Sequence, residues 1–306
     1  MMDFLYPLRL TKRWLIKKRY EFVCKYCSVE TASRVRYEML MHRKLNLDNP
    51  TTLNEKLQWL KLNLYRDNDL VTQCCDKYRV REYVEKHSGG NYLIDLYGVW
   101  KDADDIDFEE LPDSFVLKCN HGSGSIICCE NKKMLNISDT RYRLNKWLKE
   151  DYAKTHAELS YKGIKPLIIC ERYIKTEDGL PPKDYKIFCS YGIPKFLYIA
   201  SERINGHANF DFYDLNWNWI DVRNGHPNYS EEFPKPRNFD EMLELASNLS
   251  KPFPLVRVDL YNEFGNIIFG ELTFLHCSGV AAFDPDEWDE RFGAMFPDVR
   301  KCKIME

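Results

Sequence analysis

The sequence predicts an α+β fold, helical at its start and built on β-hairpins thereafter. Up to Val84, apolar residues recur at helical spacing, as in Leu53, Leu57, Leu60 and Leu64. Beyond Tyr92, short apolar runs come in pairs across Gly-containing turns, the pattern of a hairpin. A chain of 306 residues can form two compact units or one domain built of lobes. No repeat, low-complexity tract or linker marks off an independently folding part.

Leu8 to Cys24 reads as a basic amphipathic helix, and Met1 to Lys25 holds seven Lys or Arg against two acids. Such a helix either docks on its own domain or lies on an anionic membrane surface. Thr52 and Glu55 form a capping box for the next helix, and Asp76 is a candidate N-cap for a helix over Cys75–Val84. Tyr92 to Trp100 reads as one or two strands, and Asp102 to Glu110 as a solvated acidic loop with a short helical turn. Phe115 to Lys118 and Ile126 to Cys129 are strands joined by a loop of small residues. A helix is expected around Arg141 to Tyr152, then a buried strand over Pro166–Ile174 that carries Glu171. Lys183 to Gly192 and Pro194 to Ala200 form a second hairpin. Asn205 to Arg237 lacks a period and reads as irregular, with Trp217 and Trp219 on one strand face. After an amphipathic helix over Phe239–Ser250, Pro254–Tyr261 and Ile267–Phe274 pair across a turn at Asn262–Gly265.

Composition narrows the function. Hydrophobic residues make up 44% and charged residues 30%, as in a soluble globular protein. A net charge of −3 excludes general nucleic-acid binding, which needs a strongly basic surface. The eleven cysteines include two adjacent pairs, Cys74-Cys75 and Cys128-Cys129, and form no disulfide framework. Only Cys24 and Cys27 have metal-ligand spacing, and no second pair completes a zinc site. Structural thiols in a reducing cytoplasm are expected. Neither a signal peptide nor a transmembrane run is expected.

Lys118 ends a buried strand, where an ammonium is costly unless an anion meets it. The loop His121-Gly122-Ser123-Gly124-Ser125 that follows can bring N–H groups and hydroxyls close to phosphate oxygens. It reads equally as a surface turn, and it lacks the Gly-Lys-Ser/Thr ending of a Walker loop. Asp259 and Glu271 lie on strands joined by a short turn that can bring both carboxylates to one face. Two acids without His or Cys select a hard cation, with Mg²⁺ and phosphate oxygens the usual guests. Arg257 shares the face of Asp259, two residues away. In isolation these three would be a structural salt bridge. Combined with the lysine strand, the small-residue loop and Glu171-Arg172, they suggest a site for Mg-nucleotide.

The ordered motifs resemble the ATP-grasp superfamily, most closely its TupA-like branch, named for teichuronopeptide biosynthesis. The resemblance runs from about Thr51 to Gly279. It rests on Leu53-Asn-Glu-Lys-Leu-Gln-Trp-Leu, Asp76-Lys77-Tyr, Phe115-Val-Leu-Lys-Cys-Asn-His-Gly-Ser-Gly, Asp184-Tyr-Lys, Arg257-Val-Asp-Leu-Tyr and Gly270-Glu-Leu-Thr-Phe. It implies two α+β lobes clasping ATP. On this division residues 1–50 are a basic helical segment and 51–112 a helical or α+β region. A small lobe with the phosphate loop follows at 113–175, and a large lobe with the metal site at 176–306.

The resemblance also implies roles. Lys77 and Lys118 would hold phosphates beneath the loop His121 to Ser125. Glu171, Arg172 and Ile174 would bracket adenine, Asp184 would meet the ribose, and Lys186 would steady the transferred phosphoryl group. Asp259 and Glu271 would hold Mg²⁺, with Thr273 where relatives often have Asn, and Arg257 would face the acyl group. Ser278 and Gly279 would hold substrate, although Leu275-His276-Cys277 stands where Thr-Pro-Gly is expected. The activity implied is carboxylate–amine ligation through an acyl-phosphate, in the cytoplasm or at the inner face of the membrane. The carboxylate is expected on a uronic acid of a cell-surface glycan or its precursor, and the amine on an amino acid or amino alcohol. Two alternatives are a phosphotransferase acting on a sugar and a nucleotide-binding scaffold with weak catalysis.

Overall fold

The computed structural model describes residues 18–204 and 207–305. Most of the basic N-terminal helix expected over Leu8–Cys24 lies outside the described residues; its end, α1 (18–26), is helical. Helix α2 (Val29–Met41) follows, capped by Ser28. No described helix is long and apolar enough to cross a membrane.

Helix α3 (Leu53–Asn63) opens on the expected capping box, with Thr52 Oγ1 accepting from the Glu55 N–H and Glu55 Oε2 from the Thr52 N–H, each at 3.2 Å. Leu53, Leu57 and Leu60 are fully buried. The polar side of the helix is buried too, because helix α9 (Glu287–Ala294) and the chain after it cover it. There Lys56 donates to the carbonyls of Gly293 and Phe296 at 2.8 and 2.7 Å.

Helix α4 (Asp69–Cys75) ends where the helix expected over Cys75–Val84 would begin, and α5 (Val80–Ser88) starts only after a turn over 76–79. Asp76 closes α4 rather than capping α5. Its carboxylate accepts from the N–H groups of Tyr78 and Arg79, which stabilises a turn instead of a helix start.

Strands β1 (Leu96–Trp100), β2 (Phe115–Cys119), β3 (Ile126–Cys129) and β4 (Ile168–Arg172) form an antiparallel sheet in the order β1-β4-β2-β3. The acidic stretch before β2 is anchored by Ala103, Ile106, Phe108 and Leu111, which are buried against Phe115 and Leu117. The helix expected over Arg141–Tyr152 is two helices, α6 (Ile137–Trp147) and α7 (Tyr152–His156). Asn136 and Asp151 cap them, and each cap fixes a separate start.

The larger sheet runs β10-β9-β5-β6-β7-β8, also antiparallel. Its strands are β5 (Asp184–Ser190), β6 (Ile193–Ile204), β7 (His207–Tyr213), β8 (Trp219–Ile220), β9 (Val256–Glu263) and β10 (Asn266–Thr273). Helix α8 (Phe239–Ser250) packs Met242, Leu245 and Leu249 into the core with Ile187, Val258 and Leu260. Trp217 and Trp219 do not share a strand. Trp217 sits in the turn before β8 at φ +69°, stacked on Tyr213 at 4.8 Å, while its indole N–H donates to the Phe233 carbonyl.

Candidate active site

A cavity of about 500 Å³ opens between the two sheets. Val116, Lys118, Glu171 and Ile174 line it from the small sheet's side, and Tyr261 and Gly270 from the large one. Its apolar walls and few charged groups suit a flat heteroaromatic ring with a polar tail.

Register explains the small-sheet wall. Val116 pairs with Glu171 across β2 and β4, and Lys118, two residues on, projects from the same face. The Lys118 ammonium donates to Glu171 Oε2 at 2.6 Å, and Arg81 stands 3.8 Å from Oε1. Burial alone would lower the Lys118 pKa, but the charge and hydrogen bond of Glu171, with Tyr261 and Glu271, together raise it. Arg172 also lines the cavity, and its side chain donates to Asp95 at 2.8 Å.

The metal-type acids lie on the large sheet. Asp259 and Glu271 are direct cross-strand partners of β9 and β10, and Lys186 of β5 pairs with Asp259 from the other side. Arg257 stands opposite Thr273. The Arg257 guanidinium does not project past Asp259 along the strand. It folds back, with Nε and Nη2 each 2.6 Å from the carboxylate, and Nη2 also donates to Thr273 Oγ1 at 3.0 Å. Lys186 bonds Asp259 as well and lies 2.6 Å from Asp184. Burial alone would lower Lys186, yet Asp184 and Asp259 outweigh it and raise its pKa.

Glu271 is the more open acid, its side chain 41% exposed, with Lys77 at 3.8 Å and the Thr273 hydroxyl donating to it at 3.1 Å. Burial would raise its pKa, but Lys77, Lys186 and Arg257 together hold the carboxyl at about 2. Among the described residues no three His, Cys, Asp or Glu side chains cluster as a self-sufficient metal site. The donor set is all oxygen: Asp259, Glu271 and Thr273. It fits a hard cation whose shell is completed by phosphate oxygens.

The loop residues divide. Lys77 reaches under the loop and donates to the Gly122 carbonyl at 2.6 Å. Gly122 packs so closely on Tyr152 that a Cβ would lie 2.8 Å from the ring. Ser123 and Gly124 are exposed, Ser125 is half-buried, and Gly124 takes φ +83°. His121 is buried, and burial lowers its pKa. Ser278 and Gly279 sit in a left-handed turn on α3, where the Gln58 amide donates to their carbonyls at 2.6 and 2.9 Å.

Four side chains outside the predicted set complete the arrangement. Arg203 lines the cavity, donates to Asp184 at 3.1 Å and stands over the Tyr261 ring. Tyr198 accepts from Arg257 at 3.3 Å. His276 is fully buried. Arg257 donates to its Nδ1 at 2.7 Å, so Nε2 carries the proton and donates to Asn224 Oδ1 at 2.9 Å. Burial, then Arg257 and Lys186, push its pKa well down, and the ring is neutral. Arg203 follows Ser201 and Glu202 at the end of a strand, and neither it nor Tyr198 or Asn224 had a sequence signal.

No curated protein matches the chain. Among solved structures it is similar to D-alanine–D-alanine ligase from Bacillus anthracis at 15% identity and TM-score 0.44, covering 82% of this chain and 68% of that one. An L-amino acid ligase from Bacillus licheniformis gives 14% and 0.47, over 83% of this chain and 57% of that one. N5-carboxyaminoimidazole synthetase from Staphylococcus aureus, complexed with ADP, gives 13% and 0.39, over 71% and 50%. The chain thus spans between half and about two thirds of the length of these proteins. Residues 55–297 match the family described as TupA-like ATP-grasp, and the chain belongs to that family.

Proposed function

We propose that the protein is an ATP- and Mg²⁺-dependent carboxylate–amine ligase. The observation that carries this reading is the line of cations from the cavity to the acid pair. Lys118 meets Glu171 at the cavity, Lys77 bridges the loop and Glu271, and Lys186 and Arg257 flank Asp259. Such a line suits a triphosphate laid from an adenine slot towards a metal. Lys77, Lys118 and the N–H groups of Gly122 to Ser125 would hold phosphates, and Ile174 and Tyr261 the base. Asp259, Glu271 and Thr273 would hold Mg²⁺, which when bound neutralises charge on the phosphoryl oxygens.

A substrate carboxylate attacks the γ-phosphorus, its oxygen forms the new P–O bond, and ADP leaves. An amine that has lost one proton then attacks the acyl carbon. The C–N bond forms, the C–O bond to phosphate breaks, phosphate departs with the electron pair, and the nitrogen sheds a second proton. Arg257 matches a carboxylate or acyl-phosphate through two parallel N–H bonds, as it matches Asp259 here. No side-chain nucleophile is required, in keeping with buried cysteines such as Cys119 and Cys170, whose pKa values burial pushes up to about 12.

For the donor we propose a uronic acid of a cell-surface glycan or its precursor, and for the acceptor an amino acid or amino alcohol. We also propose that the reaction takes place in the cytoplasm, with the basic segment Met1–Lys25 giving loose contact with an anionic leaflet. The test is ATP, Mg²⁺, glucuronate and hydroxylamine with purified protein. A hydroxamate with release of ADP supports the ligase; phosphate retained on a sugar hydroxyl, with no hydroxamate, overturns it.

A further inference from the structure

Each cation already placed in the site has a carboxylate within 4 Å. Lys77 has Glu271, Lys118 has Glu171, Lys186 and Arg203 have Asp184, and Arg257 has Asp259. Two cations at the other end of the site do not. Lys61 on α3 is 2% exposed, and its ammonium has no hydrogen-bond partner among the described residues. Arg36 on α2 makes one long hydrogen bond, to the Tyr20 hydroxyl at 3.4 Å, and lies across that ring at 4.8 Å. Among the described residues no carboxylate is within salt-bridge distance of either one.

Near them is the left-handed turn of Cys277, Ser278 and Gly279, with φ of 46°, 57° and 69°. Gln58 holds this turn, and Lys61 is the next residue along the same face of α3. Buried Glu158 accepts from Ser278 Oγ at 2.5 Å, and its charge is felt by both Lys61 and Arg36, so one acid serves two cations. Tyr20 ties Arg36 to the same segment by donating to the His156 carbonyl at 2.8 Å, and the His156 ring stacks on Tyr152, on which Gly122 packs. His276, the residue before the turn, is bonded to Arg257. Two non-glycine residues held at positive φ mark the turn as strained, and such strain collects where a ligand is gripped. Two partly desolvated cations that share one acid keep a surplus positive charge, and a ligand carboxylate would offset its cost.

We propose that Arg36 and Lys61 seat the carboxylate of an amino-acid acceptor, so that its amine meets the activated carboxyl group beside Arg257. This rests on the ligase reading and narrows it from amines in general to anionic ones. Arg36 lies outside the segment 55–297 that carries the family match, so the N-terminal helices would supply acceptor specificity.

The test is thermal melting of the full chain with Mg-ADP and each of the twenty L-amino acids, then the decarboxylated amine of every hit. The expected result is a melting temperature raised by at least one amino acid and unmoved by its amine. That shift is lost in Arg36→Ala, partly kept in Arg36→Lys, and lost in the isosteric Lys61→Met. Amines that stabilise as well as amino acids, no response to any amino acid, or an undiminished shift in Arg36→Ala each overturn the proposal. The hydroxylamine assay on the same proteins keeps the two readings apart, because hydroxylamine carries no carboxylate. A wild-type protein that forms hydroxamate but shows no amino-acid shift refutes only the acceptor site, whereas one that forms none refutes the ligase itself.

Discussion

Glu271 faces Asp259 because β10 carries one extra residue at Gly270. From Asn266 to Phe269 the ladder is regular, with Phe269 opposite Leu260; unbroken, it would set Glu271 opposite Val258 on the other face. The bulge shifts the register by one and turns the carboxylate to Asp259. A Cβ at position 270 would lie 3.0 Å from the Asp259 carbonyl and 3.3 Å from the Tyr261 ring, so the bulge calls for glycine. Gly270→Ala should cost roughly 1–3 kcal/mol of stability by overpacking and lower Mg-dependent turnover further than that loss explains. Denaturant titration beside a turnover assay checks this, and a variant with full activity at saturating Mg²⁺ refutes the role given to the bulge.

The two acids should differ when mutated. Glu271 is half open to solvent, so Glu271→Gln should abolish turnover with the melting temperature little changed. Asp259 is buried beneath Arg257 and Lys186. Asp259→Asn leaves two cations short of a counter-charge and should cost about 3–5 kcal/mol besides activity. Lys118→Ala should remove turnover while Glu171 keeps Arg81 nearby. A folded Glu271→Gln enzyme with near-normal turnover would falsify the metal assignment.

These acids also show what the sequence discloses. Alternation along β9 places Arg257 and Asp259 on one face, and the capping box at Thr52 and Glu55 starts α3 as read. Position along a strand, however, does not give a long side chain's direction. Arg257 folds back on Asp259 because a buried guanidinium takes the nearest carboxylate. Asp76 shows the same limit at a helix end, since one acid can close a helix or cap the next and only the packed turn decides. The partners Tyr198, Asn224 and Arg203 come from strands and loops far apart in the chain, and no local spacing links them to the acids.

Nucleotide occupancy should be readable at Cys128. This thiol is exposed and lines the cavity between the sheets, whereas Cys27 is exposed in the N-terminal helical part. Mg-ATP at about ten times its Kd leaves roughly one site in ten empty, so alkylation of Cys128 should slow about tenfold. Cys27 should react at an unchanged rate and serve as the internal control. Peptide mass spectrometry after a timed pulse measures both, and equal rates at Cys128 with and without Mg-ATP would remove nucleotide from this cavity.

The last prediction concerns pH and lies away from the nucleotide cavity, at Asp211 on β7. This carboxylate is buried; Oδ1 accepts the Tyr229 N–H at 2.9 Å, and Oδ2 has no partner among the described residues. Burial raises its pKa to about 6, and the bonds to Tyr229 and Asn228 only partly oppose the rise. The unfolded chain titrates near the ordinary aspartate value of about 4. Because the folded state binds this proton more tightly, the group destabilises the fold above pH 6, and that penalty fades as pH falls towards 4. Asp211→Asn keeps an acceptor for Tyr229 and removes the charge. Urea titrations of both proteins at pH 7.5 and pH 5 should show the variant gaining most at pH 7.5, with the gap narrowing at pH 5. A gap that is constant with pH, or one that widens on acidification, shows that Asp211 is not the buried acid responsible.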